Sequence, residues 1–344
     1  MAEGGFHGLH LTRNDQKRSI TTIMKDQYGR EIDYLRISIT DRCNLRCRYC
    51  IPDGVQLVPM GEILSYEEIE TVCRCAAELG FSKIKITGGE PLVRKGAPEL
   101  IGKIRSIPGI EHVTMTTNGI LIPDYLDELV ASGLEAVNIS LDTLDAQEYS
   151  CITGRDQLEL VKKGIRMAAE SSLRTKINVV LQEGVHEQGW RPLVELAREL
   201  PIDVRFIELM PIGEGAHKTG ISGDVILQKV EEAYPGTVRD ESVHGNGPAV
   251  YYRIPGFAGS VGFIEAIHGK FCDRCNRIRL SAEGELKPCL CYDRTIALKP
   301  FLRAGDVEGV KEALSQAVFG KPEAHCFEHR SDITENKNMV SIGG

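Results

Sequence analysis

Cys43, Cys47 and Cys50 stand in the run Thr40-Asp41-Arg42-Cys43-Asn44-Leu45-Arg46-Cys47-Arg48-Tyr49-Cys50, a C-x3-C-x2-C spacing. Three thiolates within eight residues can wrap one soft metal centre. A closed structural zinc or a fully ligated 4Fe-4S cluster takes four protein ligands. The spacing therefore predicts an iron left open to a further ligand. Cys272, Cys275 and Cys289 form a second set of three, spaced C-x2-C-x13-C. Cys291 opens another reading of that set, as a zinc staple with four cysteines in which Cys291 competes with Cys289.

Such ligands must be reduced, and the composition bears on that. Among 344 residues there are 11 cysteines, yet no run of ~18 apolar residues long enough for a membrane span. Nor does a basic segment followed by an apolar core mark the start of the chain. Both observations predict a cytoplasmic protein, where clustered cysteines point to metal or redox chemistry before disulfides. The chain is 42% hydrophobic and 26% charged with a net charge of -8. That acidity argues against nucleic acid or an anionic membrane as partner, because no general positive field releases counterions from a polyanion.

The elements that must hold these residues follow a rhythm. Short β-branched runs at 35–40, 83–87, 112–117, 136–141, 176–181 and 203–209 alternate with amphipathic stretches near 66–80, 97–106, 122–132, 157–171 and 189–199. Ser65-Tyr66-Glu67-Glu68 reads as a capping box opening the first helix. Six strands joined by helical crossovers predict a parallel sheet, either a whole or partial TIM-type barrel or a doubly wound sheet. Beyond residue 211 the rhythm fades into a glycine-punctuated loop, strand-like 249–254, 260–266 and 278–281, and a helix near 306–318. The expected organisation is a loose leader over 1–24, an α/β unit over 25–210 and an extension over 211–344.

In such sheets functional groups gather on loops at the carboxyl ends of the strands. Here those loops carry the first cysteine set, Thr87-Gly88-Gly89-Glu90-Pro91, Thr116-Thr117-Asn118-Gly119, Ser140-Leu141-Asp142 and Glu208-Leu209-Met210-Pro211. Gly88-Gly89 is either a plain strand-to-helix turn or a place where backbone approaches a ligand closely. Glu90 offers a carboxylate to an amine or hydroxyl. Lys176 opens its strand and so falls at the opposite rim, unless the boundary is shifted or the barrel is open on one side.

The Cys43-x3-Cys47-x-Tyr49-Cys50 run, with Gly88-Gly89-Glu90-Pro91 after the next strand, closely resembles the radical S-adenosylmethionine (SAM) superfamily over residues 35–210. The second cysteine set, Asn276-Arg277-Ile278-Arg279 and the terminal Gly343-Gly344 extend the resemblance over 28–344 to the superfamily's GTP-cyclising family in molybdenum cofactor biosynthesis. The fold so implied is a partial (β/α)6 TIM-type barrel with a C-terminal extension carrying a second Fe-S cluster. The activity implied is conversion of GTP to (8S)-3',8-cyclo-7,8-dihydroguanosine 5'-triphosphate. A radical derived from SAM would remove the ribose C3' hydrogen, and C3' would then bond guanine C8.

By the same resemblance, Cys43, Cys47 and Cys50 hold one 4Fe-4S cluster, and Tyr49, Gly89, Ser140 and Met210 line the SAM site. Cys272, Cys275 and Cys289 hold the second cluster, whose open iron meets the guanine. Arg36, Lys85, Thr116, Lys176, Arg277, Ile278 and Arg279 align with GTP contacts. Arg277, Arg279, Gly343 and Gly344 assist catalysis, Gly343 and Gly344 by reaching into the site. Relatives often carry arginine where Lys85 stands, so a cation survives there without bidentate phosphate geometry. The resemblance further implies cyclic pyranopterin monophosphate synthase as the downstream partner and an electron donor it does not identify. It leaves a homodimer open. Elementary chemistry concurs: a net-acidic chain that holds a triphosphate must concentrate cations, and Arg36, Lys83, Lys85, Lys176, Arg205, Arg277 and Arg279 lie in or beside these motifs.

Two other readings stand beside it. One is a different radical SAM enzyme with an auxiliary cluster, such as a peptide-modifying maturase, against which Arg277-Ile278-Arg279 and the Gly-Gly end speak. The other is a metal-binding module without enzymatic activity.

Overall fold

A computed structural model describes residues 23–51 and 55–342. Residues 1–22, most of the expected leader, lie outside the described residues, as do Gly343 and Gly344.

Six strands run as the β-branched segments predict: β1 Tyr34–Ser38, β2 Lys83–Thr87, β3 His112–Thr117, β4 Ala136–Ser140, β5 Arg174–Leu181 and β6 Asp203–Glu208. Between them lie α1 Tyr66–Glu78, α2 Ala97–Arg105, α3 Ile122–Ala131, α4 Ala146–Thr153, α5 Leu158–Glu170 and α6 His186–Glu199. The capping box forms as read: Glu68 N–H donates to Ser65 Oγ at 3.2 Å, and Ser65 N–H to the Glu68 carboxylate at 2.7 Å. Helix α4 escaped the periodicity, being a short helix capped by Asp145, whose side chain accepts from Glu148 N–H at 2.7 Å.

The strands pair in sequential order, β1-β2-β3-β4-β5-β6, all parallel. A doubly wound sheet would reverse its order at a switch point, so the sequential order decides for the barrel. Three further helices follow, α7 Gly223–Ala233, α8 Lys299–Ala304 and α9 Val307–Phe319. The later strands are β7 Val238–Asp240, β8 Val250–Arg253, β9 Ser260–Ile264, β10 Arg277–Leu280, β11 Glu285–Lys287 and β12 Ile296–Ala297. Strand β9 adds parallel to β6 and β10 adds parallel to β1, while β8-β7 and β11-β12 continue antiparallel at the two edges. Among the described residues the sheet ends at β12 and β7, which makes it a partial barrel.

Alternation along each strand separates two surfaces. Leu35, Ile37, Ile84, Ile86, Val113, Met115, Val137, Ile139, Ile177, Val179, Val204 and Phe206 are fully buried against the helices. Each such side chain contributes ~1.5–3 kcal/mol of transfer free energy. The opposite parity faces the lumen and is polar: Arg36, Lys85, Thr114, Thr116, Asn138, Lys176, Asn178, Arg205, Arg277 and Arg279. Register aligns Arg279, Arg36, Lys85 and Thr114 side by side across four strands.

Candidate functional site

One cavity of about 320 Å³ is bounded by all six cysteines of the two sets. Its wall also includes Tyr49, Gly89, Ser140, Met210, Arg36, Thr116, Arg277 and Arg279. Lys85 and Lys176 are buried and are not on the wall, and Ile278, wholly buried, takes the helix-facing parity between Arg277 and Arg279.

The first cysteine loop leaves the carboxyl end of β1 and is braced by the Gly-Gly-Glu-Pro loop. Gly89 N–H donates to Thr40 C=O at 2.7 Å, and a Cβ on Gly89 would stand 2.3 Å from the Arg42 carbonyl oxygen. The glycine thus admits the cysteine loop's own backbone while lining the cavity. Glu90 does not line the cavity. It is fully buried, accepts from Leu92 N–H at 3.0 Å, Thr117 Oγ1 at 2.9 Å and Asn118 N–H at 2.6 Å, and so clamps two rim loops together. Burial pushes its carboxyl up to about 7 against those hydrogen bonds.

Asn118 Nδ2–H donates to Asn44 Oδ1 at 2.6 Å, fixing the chain between Cys43 and Cys47. The Tyr49 hydroxyl is hydrogen-bonded to the buried Asp142 carboxylate, which also receives Val180 N–H at 2.8 Å. The three thiols feel one another. Burial, then the charges of Cys50, Asp142 and Cys43, hold Cys47 well above the ordinary thiol value. Burial and Cys43 push Cys50 up to about 12, against a hydrogen bond from Val340 N–H. The described end of the chain therefore reaches the first set, and Met339 lines the same cavity.

The second set lies at the other end of the strands. Cys272 and Cys275 precede β10, whose Arg277 is level with Tyr34 at the start of β1, and Cys289 follows the antiparallel β11. Five residues of strand, roughly 17 Å at ~3.3 Å per residue, separate this mouth from the carboxyl end that carries the first set. Lys321, buried, donates from Nζ to Arg277 C=O at 2.9 Å and Pro288 C=O at 2.8 Å, joining the two segments that bear Cys275 and Cys289. Burial raises the Cys275 thiol, but Lys321 and Arg277 outweigh it and bring it down to about 7. Cys291 turns away from the cavity, its Sγ 2.9 Å from that of Cys326, so Cys289 alone of the two faces the cavity.

Among the described residues, no three His, Cys, Asp or Glu side chains close around a single metal ion. Each cysteine trio instead spans a wall of the cavity, three soft donors of the kind that suit a wider iron–sulfur cluster. Mutual repulsion and burial of the first trio's thiolates is the condition that bound iron relieves.

The lumen carries the opposite charge. Burial first, then Arg36, Arg205, Lys176 and Arg277, hold Lys85 well below the usual lysine value. Burial, Arg36 and Arg277 likewise depress Arg279. The buried Nε atoms of Arg205 and Arg277 have no hydrogen-bond partner among the described residues. Arg277 lies over the Phe271 ring at 5.1 Å. Lys83, expected with these cations, is instead paired with Asp33 at 2.5 Å. Strand β5 starts two residues before the predicted boundary, placing Lys176 as its third residue, with Asp203 at 2.9 Å and Tyr251 Oη at 3.0 Å. Asn178, Phe271, Lys321 and His325 of the cavity wall were not singled out from sequence; Asn178 follows Lys176 at strand period, whereas the others carry no local signal.

Parallel barrel, thiol trio and Gly-Gly brace define a radical SAM protein. Residues 37–197 match the Radical SAM superfamily, and residues 202–327 match Molybdenum Cofactor Synthesis C. The fold is similar to that of Streptococcus suis SuiB bound to S-adenosylmethionine, with a TM-score of 0.61 at 16% identity over 89% of this chain and 76% of that one. The GTP 3',8-cyclase of Clostridium perfringens (strain 13 / Type A) is 42% identical over 323 residues, 93% of this chain and 100% of the relative. Those of Petrotoga mobilis and Moorella thermoacetica are 43% and 44% identical, each over 93% of this chain and 100% of the relative. The chain belongs to the GTP 3',8-cyclase family. Among the described residues no helix is long and apolar enough to cross a membrane.

Proposed function

We infer that this chain is a radical SAM enzyme that converts GTP to (8S)-3',8-cyclo-7,8-dihydroguanosine 5'-triphosphate for molybdenum cofactor synthesis. One observation carries the reading: a single cavity joins a three-thiol set at each mouth to a lumen rich in cations, among which the buried Nε atoms of Arg205 and Arg277 have no hydrogen-bond partner among the described residues. When bound at Cys43, Cys47 and Cys50, a 4Fe-4S cluster with SAM supplies one-electron chemistry and a carbon radical. Tyr49, Gly89, Ser140 and Met210 line the space for SAM at that mouth. Cys272, Cys275 and Cys289 are the donors for a second cluster at the other mouth, which faces the guanine.

GTP then lies along the lumen between the two mouths. Arg36, Thr116, Arg277 and Arg279 contact it from the wall, with Lys85, Lys176 and Arg205 as the charges behind them, and Ile278 contributes through its backbone. Lys176, near the amino-terminal mouth, stands on the correct side for a substrate held toward the second set. Val340 N–H reaches Cys50 of the first set and Met339 lines the cavity, which supports a role for Gly343 and Gly344, next in the sequence after Ile342, in assisting the reaction. Residues 25–210 carry the radical-generating set and the Arg36 and Thr116 part of the GTP wall, and 211–344 add the second set with Arg277 and Arg279. The product passes to cyclic pyranopterin monophosphate synthase.

The deciding experiment incubates anaerobically reconstituted protein with reductant, SAM and GTP. 5'-Deoxyadenosine and a cyclised nucleotide are expected, both dependent on GTP. Formation of 5'-deoxyadenosine at the same rate without GTP would sink the assignment.

The depressed Lys85 adds a measurable signature. A triphosphate favours the protonated amine and raises its pKa, so GTP binding takes up protons at alkaline pH. In the ligand-free protein the sign is the reverse. The unfolded chain protonates first as pH falls, so this lysine's contribution to stability is lost toward its depressed folded value. Titration calorimetry in buffers of different ionisation enthalpy reads the uptake, and Lys85→Met is expected to remove most of it.

A further inference from the structure

Cys291 and Cys326 are 35 residues apart, yet their Sγ atoms stand 2.9 Å from each other. Cys326 N–H also donates to Cys291 Sγ at 3.2 Å. Neither thiol faces the cavity, and Cys291 belongs to a small apolar cluster with Ile212, Leu290, Phe327 and Ile342 that is separate from the main core. The two segments are already held side by side. Tyr292 Oη, next to Cys291, donates to Ala324 C=O at 3.2 Å, and Cys291 C=O is held from a third segment by the N–H groups of Thr334 and Glu335, both at 3.3 Å. Cys291 is wholly buried whereas Cys326 is partly exposed, so one member of the pair is open to a small reagent and the other can only follow.

We propose that Cys291 and Cys326 are a thiol–disulfide exchange site whose co-substrate is a low-molecular-weight disulfide. The sulfur of the partly exposed Cys326 attacks that disulfide, forming a mixed disulfide and releasing one small thiol. Cys291 then displaces the second small thiol, leaving the Cys291–Cys326 bond. The two protein thiols lose two electrons to the reagent's sulfur–sulfur bond, and their two protons leave with the released thiols. The bond ties the 289–291 segment to 325–327, where His325 N–H already donates to Cys272 Sγ at 3.4 Å. It staples the scaffold of the second cysteine set and removes Cys291 as a rival to Cys289.

The test uses full-length protein carrying its iron–sulfur centres, treated anaerobically with oxidised glutathione, alkylated and digested with trypsin. Mass spectrometry is expected to find the peptide of Cys291 linked to that of Cys326, with fragmentation placing the bond on Cys291. Cys291→Ser should halt the reaction with one glutathione on Cys326. The linked parent protein should show a Tm raised by about 5 °C that dithiothreitol reverses, and Cys326→Ser should show no such rise. Linkage of Cys326 to Cys289, both thiols remaining free to alkylate, or a bond that leaves Tm unchanged would each overturn the proposal.

Discussion

Cys47→Ala is expected to abolish 5'-deoxyadenosine formation while GTP binding persists. Cys47 is the middle of three half-buried thiols whose charges oppose one another, and bound iron offsets that repulsion. With alanine, two donors remain where a cluster with one open iron needs three. The loss should exceed the roughly 10–100-fold that follows when only a ligand's supporting partner is removed. The GTP contacts are expected to survive because the lumen cations sit on strands and not on this loop. Iron content, visible absorption and 5'-deoxyadenosine yield are the measurements. Turnover near the parent rate would remove the first trio from the chemistry.

Arg277→Met moves affinity and stability in opposite directions. The guanidinium lines the cavity, its Nε–H lacks a partner among the described residues, and it raises the cost of charge on Lys85 and Arg279. A bound triphosphate is the anion that such a site requires, and a charged hydrogen bond lost from it costs ~1.5–3 kcal/mol, an increase in the KM for GTP of about 10- to 150-fold. Without ligand, methionine of similar length relieves both repulsion and an orphaned donor, so Tm is expected to rise. Steady-state kinetics and thermal melts read the two effects. A fall in both affinity and Tm would assign Arg277 a structural role instead.

Much of this was legible before any fold was known. The β-branched runs located β1 to β6 within two residues, because alternating buried and lumen-facing positions leave a period-two signature. Helix α7 was hidden by Gly213, Gly215, Gly220 and Gly223, which read as a loop, although Ser222 caps it by accepting Asp224 N–H at 3.3 Å. Glu90 looked like a ligand for substrate, and its type and place supported that. Its engagement with Thr117 and Asn118 depends on how two rim loops meet, which the local sequence does not encode.

The type and number of candidate donors are written in the chain itself. The C-x3-C-x2-C and C-x2-C-x13-C spacings supply three soft donors each, and alternation at Arg277 and Arg279 assigns both to one face. Where the two sets stand relative to each other was decided only by tertiary structure. Strand β10 returns from the far end of the sequence to pair parallel with β1, so the cysteines before it enter at the amino-terminal mouth while those after β1 occupy the other. That pairing also brings Arg279 level with Arg36 and Lys85. The charge concentration that a triphosphate needs thus arises from backbone hydrogen bonding between segments more than 200 residues apart, which no local pattern reveals.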